Sequence, residues 1–112
     1  MAGRYRYRLL LLREWRRVAA RVVEAVRRLY PEAEVYLIGG VAEGRITVDS
    51  DLDIAVVFKT RLSRDERVDV LARVLESIED VVPMYYPLEI HVLEAGELER
   101  LKGGKVRLSP ST

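Results

Sequence analysis

Leu37-Ile38-Gly39-Gly40-Val41-Ala42-Glu43-Gly44 and, after a short interval, Ser50-Asp51-Leu52-Asp53-Ile54-Ala55-Val56-Val57 are the two halves of the most informative stretch in the chain. The first half completes Val35–Ile38, a run of β-formers closed by two glycines, which predicts a buried strand entering a tight turn. The second half opens Leu52–Phe58, which is apolar or β-branched except for Asp53. Such a run predicts a central strand covered on both faces. Between them, residues 41–50 form a polar turn that contains a further glycine, Gly44.

On the N-terminal side, Leu11, Trp15, Val18, Val22, Val26 and Leu29 recur at steps of three or four, predicting one helix from Leu9 to Tyr30 that Pro31 ends. On the C-terminal side, Ser63 and Glu66 have the spacing of a capping box. Val68, Leu71, Leu75, Ile78 and Val82 then mark a helical stripe up to Pro83. Pro87–Leu93 predicts a third strand, in which Glu89 and His91 share the face opposite Leu88, Ile90 and Val92. A short helix around Gly96–Lys102, a final strand near Lys105–Leu108 and a frayed Ser109–Thr112 follow. The expected architecture is therefore α+β, close to α/β: a small mixed sheet of about four strands backed by two main helices.

At 112 residues the chain fits a single domain spanning 1–112. Its 49% hydrophobic and 33% charged residues are those of a soluble globular protein. The net charge of +1 hides an asymmetry, because nine arginines face only Glu14 and Glu24 within residues 1–30. That basic helix is first of all a solvated face, and with Trp15 the one aromatic between Leu9 and Leu29, nucleic acid is not the expected primary partner. The absence of cysteine excludes disulfides, thiolate metal sites and thiol nucleophiles, and one histidine cannot build a histidine-rich site. Leu9–Leu12 is far shorter than the roughly 20 apolar residues of a membrane span, and arginines follow too closely for a signal-peptide core, so a cytoplasmic protein is expected. Asparagine and glutamine are both absent, a bias that suggests a thermophilic source.

Asp51 and Asp53 stand two apart at the mouth of a strand, so their side chains leave one face roughly 6 to 7 Å apart at the backbone. Two close carboxylates repel, and a divalent cation between them removes that cost; oxygen ligands suit magnesium or manganese. The plainer alternative is a pair of turn-forming aspartates before a strand. Against it, Asp53 lies inside an apolar strand, where an unsatisfied charge costs several kcal/mol. An EF-hand fails, because Ile54 stands where glycine is needed and Thr60 where glutamate is needed. A phosphatase-type nucleophile also fits poorly, since its strand precedes the aspartate.

The two halves together resemble the signature of the DNA polymerase beta-like nucleotidyltransferase superfamily. That signature is a hydrophobic residue, glycine, then glycine or serine, and about ten residues later Asp-x-Asp on a strand. Here Gly40 and Asp51 are eleven apart. The chain's size is similar to that of the stand-alone minimal members, whose nucleotidyltransferase fold is then expected. The resemblance implies magnesium or manganese held by Asp51, Asp53 and a third carboxylate on a neighbouring strand, for which Glu89 is the candidate. A solvated strand glutamate is the alternative for Glu89. It also implies nucleotide binding around Gly39, Gly40, Gly44 and Ser50, where missing side chains let backbone N–H groups approach a triphosphate. Two positions depart from the pattern: Gly40 stands where many members have serine, and Glu43 where many minimal members have arginine.

By the same resemblance, the expected activity is transfer of a nucleoside monophosphate, AMP for preference, from an NTP to a hydroxyl acceptor. Minimal members act beside a small helical partner of the HEPN type, in pairs where the nucleotidyltransferase is the antitoxin. The rival is a domain that kept the fold but neutralises its partner by occlusion, without transfer. A homo-oligomer is left open. His91 shares the face of Glu89, yet a lone strand histidine is more often structural or exposed.

Overall fold

The computed structural model describes residues 2–109. Its elements are α1 (Ala2–Leu12), α2 (Trp15–Leu29), β1 (Glu34–Ile38), α3 (Gly39–Ala42), β2 (Leu52–Phe58), α4 (Arg64–Ile78), β3 (Leu88–Glu94), α5 (Ala95–Arg100) and β4 (Lys105–Ser109). The strands form one mixed sheet in the order β3-β2-β1-β4. The β1 strand runs antiparallel to both β2 and β4, while β2 and β3 are parallel and joined through α4.

Alternation along the strands divides the apolar side chains between the two faces of the sheet. Val35, Leu37, Leu52, Ile54, Val56 and Ile90 pack on α2 through Val18, Val22 and Val26, and on α4 through Val70, Val74 and Ile78. On the opposite face, Ile38, Ala55 and Val57 pack on Leu98 of α5. Because both faces are covered, six of the seven β2 residues are buried, and Asp53 is the exception. The same face that receives α5 presents Asp53, Glu89 and His91 further along.

The predicted helix from Leu9 to Tyr30 is two helices. The Arg13 N–H is shared between the carbonyls of Leu9 and Leu10, and the Glu14 N–H reaches only to Leu11, so the turn tightens and the axis is broken before Trp15. No glycine or proline marks the break, and Leu9–Leu12 is apolar on every side, so periodicity had nothing to place it with. The break carries Leu12 fully into the core.

The α4 stripe is also displaced from the predicted one. Ser63 caps the helix with Glu66 as expected, but Val70, Val74 and Ile78 are buried, while Val68 is 60% and Leu75 41% exposed. The reason is Arg67, which begins the buried face. Its guanidinium pairs with Glu94 at 3.0 Å and Glu97 at 2.7 Å and donates to the Val92 carbonyl. A charged residue on the inner face hid that face from a hydrophobicity pattern. The helix ends at Ile78, not near Pro83, although Val82 is still buried. Ser109 belongs to β4 and is 3% exposed, so it is not frayed; residues 110–112 lie outside the described residues.

Adjacent positions distinguish the two stripes on α4. Val74→Ala is expected to cost about 2 to 3 kcal/mol, from two lost methyl groups and the cavity they leave. Leu75→Ala is expected to stay within about 0.5 kcal/mol. Urea unfolding midpoints at unchanged m-value check both.

Candidate functional site

The site is built where β1 turns into α3 beside the start of β2. Asp53, the second residue of β2, lies in register between Ile38 of β1 and Glu89 of β3. Directly after Ile38 the chain turns at Gly39 with φ of 74°. A Cβ at Gly39 would lie 2.7 Å from Asp53 Oδ2, so this glycine is required both by its backbone conformation and by the carboxylate against it.

Glu89 and His91 leave β3 on the face of Asp53, as two-residue spacing demands. His91 Nε2 is 3.1 Å from Asp53 Oδ1 and 3.8 Å from Glu89 Oε1. The side chains are graded outward: Asp53 is 22% exposed, His91 33% and Glu89 58%. One ligating atom from each of the three lies within 4.8 Å of the others. Two ligands on a magnesium-sized ion are about 3 Å apart when adjacent and about 4.2 Å when opposite, so these atoms reach one divalent cation after a contraction of about half an ångström. The donor set, two carboxylate oxygens and one imidazole nitrogen, fits such an ion chemically.

Asp51 does not face this group in the same way. Its Oδ1 accepts from Arg8 Nη2 of α1, which also donates to the Ser50 carbonyl at 2.8 Å. Ser50 uses its hydroxyl locally: Oγ accepts from the Thr47 N–H at 2.8 Å and closes the turn ahead of β2. The Arg45 N–H donates to the Gly40 carbonyl, and a Cβ at Gly40 would stand 3.0 Å from the Arg45 carbonyl oxygen. Gly40 is therefore pressed against the returning loop. Gly44 has φ of 75° with open space around its Cα, so backbone conformation alone accounts for it.

Glu43 serves as a brace. It pairs with Arg45 at 2.8 Å and accepts the Gly104 N–H at 3.2 Å, tying the end of α3 to the loop before β4. The Arg45 guanidinium first, and the Gly104 N–H second, hold its carboxyl below the usual range. A Cβ at Gly103 or Gly104 would fall 2.7 Å or 2.8 Å from Glu43 atoms, so either would displace the Glu43 side chain.

Of the residues predicted for the site, Asp53 and Glu89 are neighbours across β2 and β3, with Gly39 packed on Asp53. Gly40, in α3, meets the adjoining loop that holds Gly44 and Ser50, and Asp51 sits at the end of that loop in the grip of Arg8. Two further residues touch the site: His91, which the sequence placed on the face of Glu89 but which was left out of the expected site, and Arg8, which was missed. His91 had a legible signal, its two-residue spacing from Glu89. Arg8 had none, because a contact with Asp51 across 43 positions has no local pattern.

A profile of the nucleotidyltransferase domain matches residues 19–110, and the chain belongs to that family. No protein of curated function matches it. Among solved structures, it is similar to a Sulfolobus solfataricus protein described as a candidate nucleotidyltransferase. That pair shares 29% identity with a TM-score of 0.61, over 87% of this chain and 80% of the other. A second structure described in the same terms gives 26% identity and a TM-score of 0.60, over 77% and 91% of the two chains. A variant of the toxin–antitoxin pair MntA–HpeT, at 16% identity, shares the fold with a TM-score of 0.50 over 81% and 71%. Among the described residues no helix is long and apolar enough to cross a membrane.

The two positive-φ glycines of the site separate conformation from contact. Gly44→Ala should cost about 1 to 2 kcal/mol, the left-handed penalty alone. Gly39→Ala should cost measurably more, because its methyl group also meets Asp53. Equal losses in denaturant unfolding would show that the Asp53 carboxylate moves freely away.

Proposed function

We propose that the chain transfers a nucleoside monophosphate, AMP for preference, from an NTP to a hydroxyl acceptor, with a divalent cation held by Asp53 and Glu89 and by Asp51. The observation that carries this reading is the register pairing of Asp53 with Glu89 beside the Gly39 turn, in a chain of the nucleotidyltransferase family. When bound, magnesium or manganese supplies positive charge opposite the triphosphate oxygens.

The chain's own residues do the rest. Gly39 and Gly40 keep side chains out of the turn, so backbone N–H groups approach the phosphates. Asp53 is fixed by neighbours on both adjacent strands and by Gly39. Glu89, the most exposed of the three clustered groups, is the one an incoming acceptor meets, and its carboxylate can take the hydroxyl proton. Asp51 becomes a ligand either through its second oxygen or after Arg8 yields the first. Gly44 and Ser50 shape the loop that receives the nucleotide. The acceptor in this reading is a small helical partner protein of the HEPN type, encountered in the cytoplasm.

A second reading, a binding module that neutralises a partner by occlusion, is favoured by one observation. Glu43, where many minimal members carry arginine, is an acid engaged by Arg45 and Gly104 beside the turn.

Incubation with ATP labelled at the α-phosphorus, magnesium and the co-encoded partner separates the readings. Wild type should move label to the partner and release pyrophosphate, and Asp53→Asn should lower the rate at least about 100-fold, more than the loss of an outer-shell contact. Neutralisation of the partner without label transfer, unchanged by Asp53→Asn, would support occlusion and end the catalytic reading.

A further inference from the structure

We propose that His91 is a direct ligand of the divalent cation, so that this site takes a mixed oxygen and nitrogen donor set and favours first-row transition ions over magnesium. The inference rests on the reading of Asp53 and Glu89 as metal ligands and deepens it.

Three observations support the assignment. First, one atom, His91 Nε2, faces both carboxylates, 3.1 Å from Asp53 Oδ1 and 3.8 Å from Glu89 Oε1. A histidine serving only to hold Asp53 would need one carboxylate, not two. Second, among the described residues the three side chains that converge on one point are Asp53, Glu89 and His91. The third family-implied carboxylate, Asp51, has an oxygen committed to Arg8. Third, the strand pairing fixes the imidazole where the ion would sit. In the parallel register Glu89 stands opposite Asp53 and His91 opposite Ala55, so glutamate lies directly across from the aspartate and histidine diagonally across, both on one strand. The residue opposite the ring is alanine, the smallest side chain on that stretch of β2.

The chemical consequence is selectivity. Magnesium prefers oxygen and gains little from imidazole, whereas cobalt, zinc and nickel gain much from a nitrogen donor, and manganese accepts either. A site with His91 in the coordination sphere therefore discriminates among ions that three carboxylates would treat more evenly.

His91 is the chain's single histidine, which makes a spectroscopic test unusually clean. Tag-free protein is loaded with manganese alone and examined by pulsed electron paramagnetic resonance, and cobalt and magnesium affinities are measured by calorimetry. Wild type should show imidazole nitrogen coupling to manganese. His91→Gln keeps a donor for Asp53 but removes the imidazole; it should lose the coupling and at least about tenfold of the cobalt-over-magnesium preference. Manganese binding that Asp53→Asn abolishes, yet that shows no imidazole coupling in wild type, would overturn the role of His91 and leave the carboxylate reading standing. Absence of any ion binding by folded wild type would overturn both.

Discussion

A carboxylate inside a strand that is otherwise buried has to be satisfied, and the neighbourhood of Asp53 is organised around that requirement. Six of seven β2 residues are removed from water by helices on both faces, which makes the strand the rigid centre of the molecule. An uncompensated charge in such a place costs several kcal/mol. The compensation comes from three directions: an imidazole from β3, an opening to solvent on the side of Glu89, and a neighbouring turn whose glycine leaves the carboxylate room. The sheet thus accommodates a carboxylate beside its buried centre.

The surrounding architecture holds that position firmly. Parallel pairing of β2 with β3 needs a long crossover, and α4 provides it while covering the apolar face. Arg67 then ties α4 to the far end of β3 and to the start of α5 through Glu94 and Glu97. Because β3 is held at its far end and in register with β2, Glu89 and His91 cannot slide relative to Asp53 without breaking that arrangement. The remaining parts of the site come from outside the sheet: Arg8 on α1 and the loop from Glu43 to Ser50.

The legible parts of this molecule are those where local pattern and tertiary environment agree. Leu52–Phe58 matched its strand end to end, because full burial leaves an uninterrupted apolar run. Ser63 and Glu66 announced the start of α4 through a hydrogen-bonding pattern complete within four residues. Asp53 and Glu89 were readable as site candidates because a charge on a strand has a defined face. What was illegible depended on partners far along the chain. The inner face of α4 was obscured by Arg67, whose charge is balanced by residues about thirty positions later. The break at Arg13 and Glu14 leaves α1 with Leu12 in the core and Arg8, one turn earlier, at Asp51, and neither contact has a local signature.

The brace formed by Glu43 bears on how this chain could change over time. Its carboxylate lies where a Cβ at Gly103 would fall and its Cγ where a Cβ at Gly104 would fall, so the acid and the two glycines are packed together across about 60 positions of sequence. A change to arginine at position 43 would place a cation against the Gly104 N–H and remove the partner of Arg45 in the same step. The first mutation would be disfavoured until the loop before β4 had altered, and an altered loop would be disfavoured while the acid remained. What a change at position 43 costs therefore depends on the loop before β4, and the reverse also holds, which is epistasis between the two.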